Sequence, residues 1–137
     1  MANSDIAISR RQIGGETPMV VSEITDNCLY TGLFGSLDST RMAAVSDKLT
    51  ATSERAETRH VIVDLGNVDA IDSAVANQLV RLADTLMLVG VKTIFCGIKG
   101  VIARTMVGAG ITLNGYHATR DLKSALQLSL KLTAEGH

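Results

Sequence analysis

The chain has 137 residues, 46% of them apolar and 20% charged, with a net charge of −1. That length suits one domain able to bury its own core, and the near-neutral charge without a basic run argues against a nucleic-acid or polyanion binder. No apolar stretch approaches a membrane span of about 20 residues, and Met1-Ala-Asn-Ser-Asp5 lacks the pattern of a signal peptide, so a cytoplasmic protein is the expectation.

Aromatic residues make up 3% of the chain and tryptophan is absent, which predicts an aliphatic core. Residues 1–17 carry scattered charge and Gly14-Gly15, and read as a flexible leader. Pro18 opens Met19-Val20-Val21, an edge-strand pattern. Thr25-Asp26-Asn27 is a turn cluster, and Cys28 to Phe34 completes a predicted hairpin. Gly35-Ser-Leu-Asp-Ser39 announces a helix capped by Asp38 or Ser39. Met42, Val45, Leu49 and Ala56 form its apolar stripe.

The run Val61-Ile-Val63, rich in β-branched residues, predicts a strand buried on both faces and ending near Asp64. Gly66 and Asn67 suggest a turn. Ile71-Asp72-Ser73 then leads into a helix to Val89, with Gly90 as its left-handed stop. Val91 to Gly97 reads as another buried strand, with Cys96 as a small core residue. A shorter helix, Lys99 to Ala109, has Val101, Ile102, Thr105, Met106 and Ala109 on one stripe. A turn at Asn114-Gly115 and a short strand follow. Thr119 is the expected cap of a last helix that buries Leu122, Ala125, Leu126 and Leu130, and residues 133–137 read as a frayed end. A hairpin followed by alternating helices and strands implies an α/β fold with a mostly parallel sheet and an antiparallel edge.

Signs of catalysis are few. His60, His117 and His137 have no partners at metal-ligand spacing, so no metal is expected. Neither G-x-G-x-x-G nor G-x-x-x-x-G-K-[ST] occurs, so no cofactor is expected. No G-x-S-x-G elbow surrounds Ser73, and an enzyme is not the expectation. Asp64, near a strand end, permits one alternative: a receiver domain phosphorylated on that aspartate. The acidic pair such a site needs for Mg²⁺ is missing after the strand from Cys28, and Lys99 stands alone as the matching lysine.

Ser73 sits at a predicted helix start, where two roles are open. Its hydroxyl can cap the helix, worth about 0.5–2 kcal/mol over alanine. It can also accept a phosphoryl group, since a helix N-terminus tolerates anions. Asp69 and Asp72 nearby would make the modified surface strongly acidic, which suits a change in partner affinity on a domain that stays folded.

The motifs Leu37-Asp38-Ser39, Val61-Ile-Val-Asp-Leu65 and Val68-Asp-Ala-Ile-Asp-Ser-Ala-Val-Ala-Asn77 together resemble the STAS domain of sulfate transporters and anti-sigma-factor antagonists. Leu88-Val-Gly-Val-Lys92, Gly97-Ile98, Ala103-Arg-Thr-Met-Val107 and Gly110-Ile-Thr-Leu113 are similar to the stressosome scaffold branch, the RsbR and RsbS type. The resemblance covers about residues 18–132. It implies a single STAS-like domain with an N-terminal hairpin, a mostly parallel sheet and about four helices. It also implies a non-enzymatic regulator that signals by partner exchange. A serine/threonine kinase of the switch-protein class would phosphorylate Ser73, with Thr105 as a second acceptor, and a phosphatase would reset it. Sister STAS scaffold proteins would be further partners, in a homo- or hetero-oligomer. Asp38, Asp69, Asp72 and Asn77 are the expected partner-binding residues. An unmodified scaffold subunit is the other alternative.

Overall fold

The structure is a computed structural model that describes residues 17–55, 57–113 and 115–136. The expected leader, apart from Thr17, lies outside the described residues, as do Ala56 and Asn114. The elements run β1 (Met19–Thr25), β2 (Cys28–Ser36), α1 (Ser39–Arg55), β3 (His60–Ala70), α2 (Ser73–Leu88), β4 (Lys92–Cys96), α3 (Gly100–Gly108), β5 (His117–Thr119) and α4 (Leu122–Ala134). The five strands form one sheet in the order β1-β2-β3-β4-β5. Only the β1–β2 hairpin is antiparallel; β2, β3, β4 and β5 pair in parallel. The expected α/β fold, a mostly parallel sheet with an N-terminal hairpin and four helices, is the fold found.

The uninterrupted apolar run of β3 follows from helices on both faces of the sheet. Val61, Val63 and Leu65 point into the larger core, with Met42, Val45 and Leu49 of α1, Val75, Leu79 and Leu86 of α2, and Ile102 of α3. Ile62 points the other way, into a smaller cluster with Cys28, Ile94, Cys96 and Ala125 under α4. Side chains of the Leu and Ile class, fully buried, contribute about 1.5–3 kcal/mol each. The larger cluster is therefore the main source of stability.

Helix ends obey local chemistry. Gly90, at φ +87°, closes α2 in a left-handed turn: its N–H donates to Met87 O at 3.0 Å, and the Val91 N–H donates to Leu86 O at 2.9 Å. Buried Val91 then enters β4.

Several expectations need correction. Gly66 and Asn67 do not turn; they lie inside β3, which continues to Ala70 because Phe34, Gly35 and Ser36 of β2 keep pairing with it across two register shifts. Asp64 is therefore mid-strand. Thr119 does not cap the last helix. It is held in β5 opposite Cys96, and Asp121 takes the cap, accepting from the Ser124 N–H at 2.9 Å. Leu122 and Leu130 are exposed, and α4 buries Ala125 and Ser129 in their place. On α3, Val101 faces outward, while Ile102 and Met106 carry the packing.

Candidate functional site

The parallel strands β2 and β3 both deliver their C-terminal ends to the same rim of the sheet, where α1 and α2 begin. The two helix starts are tied together. The Leu37 N–H donates to Ala70 O at 3.1 Å, and the Gln78 amide donates to Ser39 O at 3.1 Å. Asp38, Asp69, Asp72, Ser73 and Asn77 thus gather on one rim, and the first four are exposed. Asn77, one turn into α2, donates from Nδ2 to Ser73 O at 2.9 Å.

The caps are carboxylates. Asp38 Oδ1 accepts from the Arg41 N–H at 2.8 Å at the start of α1. At α2, Asp72 has extended backbone (φ −110°, ψ −178°), and its Oδ1 accepts from the Val75 N–H at 2.9 Å. Ser73 is the first helical residue and does not cap. The cap reading of Ser73 is corrected accordingly: of two adjacent cap-competent residues, the one with extended backbone takes the role. Ser73 is left exposed, and its hydroxyl makes no hydrogen bond among the described residues. Asp72→Ala should lower stability by about 1 kcal/mol, whereas Ser73→Ala should change it by less than about 0.5 kcal/mol. Urea unfolding of the two variants side by side measures the contrast.

Thr105 does not join this rim cluster. It lies in the middle of α3, half-buried, with its hydroxyl donating back to Val101 O at 3.2 Å.

A second polar group was not foreseen from the sequence. Asp64 Oδ2 accepts from the Tyr30 hydroxyl at 2.8 Å, and Oδ1 accepts from the Gly66 N–H at 2.9 Å. With both oxygens engaged and the strand running past it, Asp64 supports β3 locally. Residues 34 positions apart in sequence offer no short-range signal of that pairing. Burial pushes the Tyr30 hydroxyl up to about 12, and the adjacent Asp64 carboxylate adds to the effect. Cys96 is likewise pushed up to about 12, first by burial and then by Asp64. The sign follows from proton binding. The unfolded chain ionises these groups near their ordinary values of 9.0 and 10.0, while the folded chain holds its protons longer. Their stabilising contribution is present in full below about pH 8.5. It is lost as the pH rises toward 12. Urea midpoints should therefore fall between pH 8 and pH 10.5, and Tyr30→Phe should reduce that fall.

A mostly parallel sheet with helices on both faces, carboxylate-capped helix starts and an exposed serine on one rim define an α/β domain of one class. Among the described residues, no group of three or more metal-ligand side chains comes together, and no helix is long and apolar enough to cross a membrane. Residues 19–122 match the STAS domain model, and the chain belongs to the STAS domain family. That membership displaces the receiver alternative for Asp64. Two relatives come from Bacillus subtilis. The RsbT co-antagonist protein RsbRC is 32% identical over 100 residues, which is 73% of this chain and 36% of that one. RsbRA, also named an RsbT co-antagonist protein, is 26% identical over 110 residues, or 80% of this chain and 40% of that one. The chain thus spans about two fifths of the length of these relatives. Among solved structures, a Moorella thermoacetica RsbS variant superposes with a TM-score of 0.74 at 18% identity, over 85% of this chain and 97% of that one.

Proposed function

We propose that this chain is a cytoplasmic STAS regulator of the stressosome or anti-sigma-factor-antagonist kind, switched by phosphorylation of Ser73. The observation that carries the reading is the exposed Ser73 hydroxyl at the first position of α2, with the capping duty held by Asp72. A phosphoryl group there adds about −1.5 to −2 charge. The helix start offsets part of that charge, by about 0.3–1 kcal/mol. The cap on Val75 stays in place, so α2 need not melt. Asp38, Asp69 and Asp72 already make the rim acidic, and the modification deepens that field rather than neutralising it. A partner docked on the rim through Asn77 and these carboxylates would then bind less tightly. The kinase is of the switch-protein serine/threonine class, a phosphatase reverses the step, and sister STAS subunits complete the assembly. Thr105 is a second acceptor whose hydroxyl must first leave Val101 O.

The test is phosphopeptide mapping after incubation with the kinase and ATP. Label is expected on the Ser73 peptide. Ser73→Ala should keep the fold and kinase binding while losing the label, and Ser73→Asp should weaken kinase binding. Label on neither Ser73 nor Thr105 would leave the unmodified scaffold as the reading.

A further inference from the structure

The two edges of the sheet differ in how they are protected. β5 is three residues long and ends its edge quickly. β1 is seven residues long, holds no proline and carries one charged residue, Glu23. Edges of that kind pair with further strands unless something blocks them. Among the described residues, nothing pairs with the outer side of β1.

The hydrogen-bonding alternation along β1 can be followed from its start. The Phe34 N–H donates to Pro18 O at 3.2 Å, so residues 18 and 34 form a hydrogen-bonded pair. Val20 and Ser22 repeat that phase and bond to Gly32 and Tyr30 of β2. Met19, Val21 and Glu23 have the opposite phase, and their backbone groups point outward. The Met19 N–H is already satisfied by Thr17 O at 2.8 Å. The regular stretch ends at Glu23, where the register shifts before Thr25. Five residues, Met19 to Glu23, are thus regular, and Val21 is their centre.

We infer that β1 pairs antiparallel with β1 of a second copy of this chain, about a two-fold axis through Val21. In this register, the two Val21 residues exchange N–H···O bonds in both directions. Each Glu23 N–H donates to Met19 O of the other copy, an acceptor left free by the phase of the strand. Glu23 then faces Met19 rather than the other Glu23, so no like charges meet. Val20, 53% exposed, lies beside Ser22 of the other copy, and Val21 beside its own equivalent. Shifting the pairing by two residues in one direction sets Glu23 against Thr17, whose carbonyl already accepts from the Met19 N–H, and in the other direction carries the ladder past Glu23 into the shifted segment. The product is one continuous sheet through both copies, with the Ser73 rims left open. The inference goes beyond the reading of Ser73 and needs no modification to hold.

The full, unphosphorylated chain tests it. Light scattering after size exclusion should give twice the chain mass of 14.5 kDa. Glu23→Pro removes an outward N–H and places the proline ring on the edge, while the ladder to β2 and the core are untouched. Dimer dissociation should become easier by roughly tenfold or more, with unchanged far-UV circular dichroism. Register is tested independently by cysteine pairs, because the native thiols are buried. Val20→Cys and Ser22→Cys proteins should cross-link quickly when mixed, since these positions are directly opposed at about 4.5 Å between Cα atoms. Each variant alone should cross-link slowly, because like positions are diagonal neighbours at about 7–8 Å. A monomer at every concentration, a folded Glu23→Pro protein that stays dimeric, or a mixture no faster than its components overturns the inference.

Discussion

Gly97→Ala should be among the most damaging single-atom additions to this fold, at a cost of about 2–5 kcal/mol. Gly97 follows β4 with φ +71°, in the left-handed region. There an L-residue pays about 1–2 kcal/mol. Space is the larger obstacle. An added Cβ would stand 2.7 Å from Asp64 Oδ1, 2.8 Å from Gly66 N and 3.0 Å from Gly66 Cα. The carboxylate cannot swing aside freely, because Tyr30 and the Gly66 N–H hold both of its oxygens. The Gly66 atoms are backbone in the middle of β3 and cannot yield without bending that strand. Overpacking of this kind costs about 1–3 kcal/mol. A typical domain holds only about 5–15 kcal/mol in total. The urea midpoint should drop steeply with an unchanged slope, and a drop equivalent to less than about 0.5 kcal/mol would contradict the account.

The second large effect is expected at Phe95. The sequence has two phenylalanines, and their burial separates them cleanly. Phe95 is 1% exposed on β4, one residue before its end, and its ring meets Tyr116 edge-on, with centroids 6.5 Å apart and planes at 86°. Phe34 is 44% exposed on β2. Phe95→Ala removes the largest fully buried side chain from an otherwise aliphatic core and leaves a cavity, so about 3–5 kcal/mol should be lost. Phe34→Ala should cost less than about 0.5 kcal/mol by equilibrium unfolding. Equal losses at the two sites would show that the core is not organised around β4.

Periodicity was a sound guide on β3 and α2 and overreached on α3 and α4, where Val101, Leu122 and Leu130 are exposed. Val61 to Val63 is apolar without alternation because helices lie on both sides of it, and Gly90 ends α2 because only glycine accepts the φ required there without strain. The other readings that failed depended on partners remote in sequence. Gly66-Asn67 looks like a turn until Phe34 and Gly35 are known to lie alongside. Thr119 looks like a cap until Cys96 draws it into β5, leaving Asp121 to close α4. Asp72 and Ser73 are equally good caps by residue type, and backbone geometry alone separates them. The gathering of Asp38 with Asp69 and Ser73 follows from parallel strands ending on one rim. The pairing of Tyr30 with Asp64 has no trace in the local sequence.

The placement of both cysteines beneath α4 has a kinetic consequence. Cys28 and Cys96 lie in the cluster that α4 covers through Ala125, Leu126 and Leu128, and neither is more than 2% exposed. A thiol reagent therefore reaches either sulfur only after this cover, α4 together with the Tyr30 ring, moves aside or the whole chain opens. Labelling rates followed across denaturant concentration separate the two events, since a local opening exposes little surface and depends weakly on denaturant. The chain thus carries its own clock for the motion of its last helix, readable without adding any probe residue.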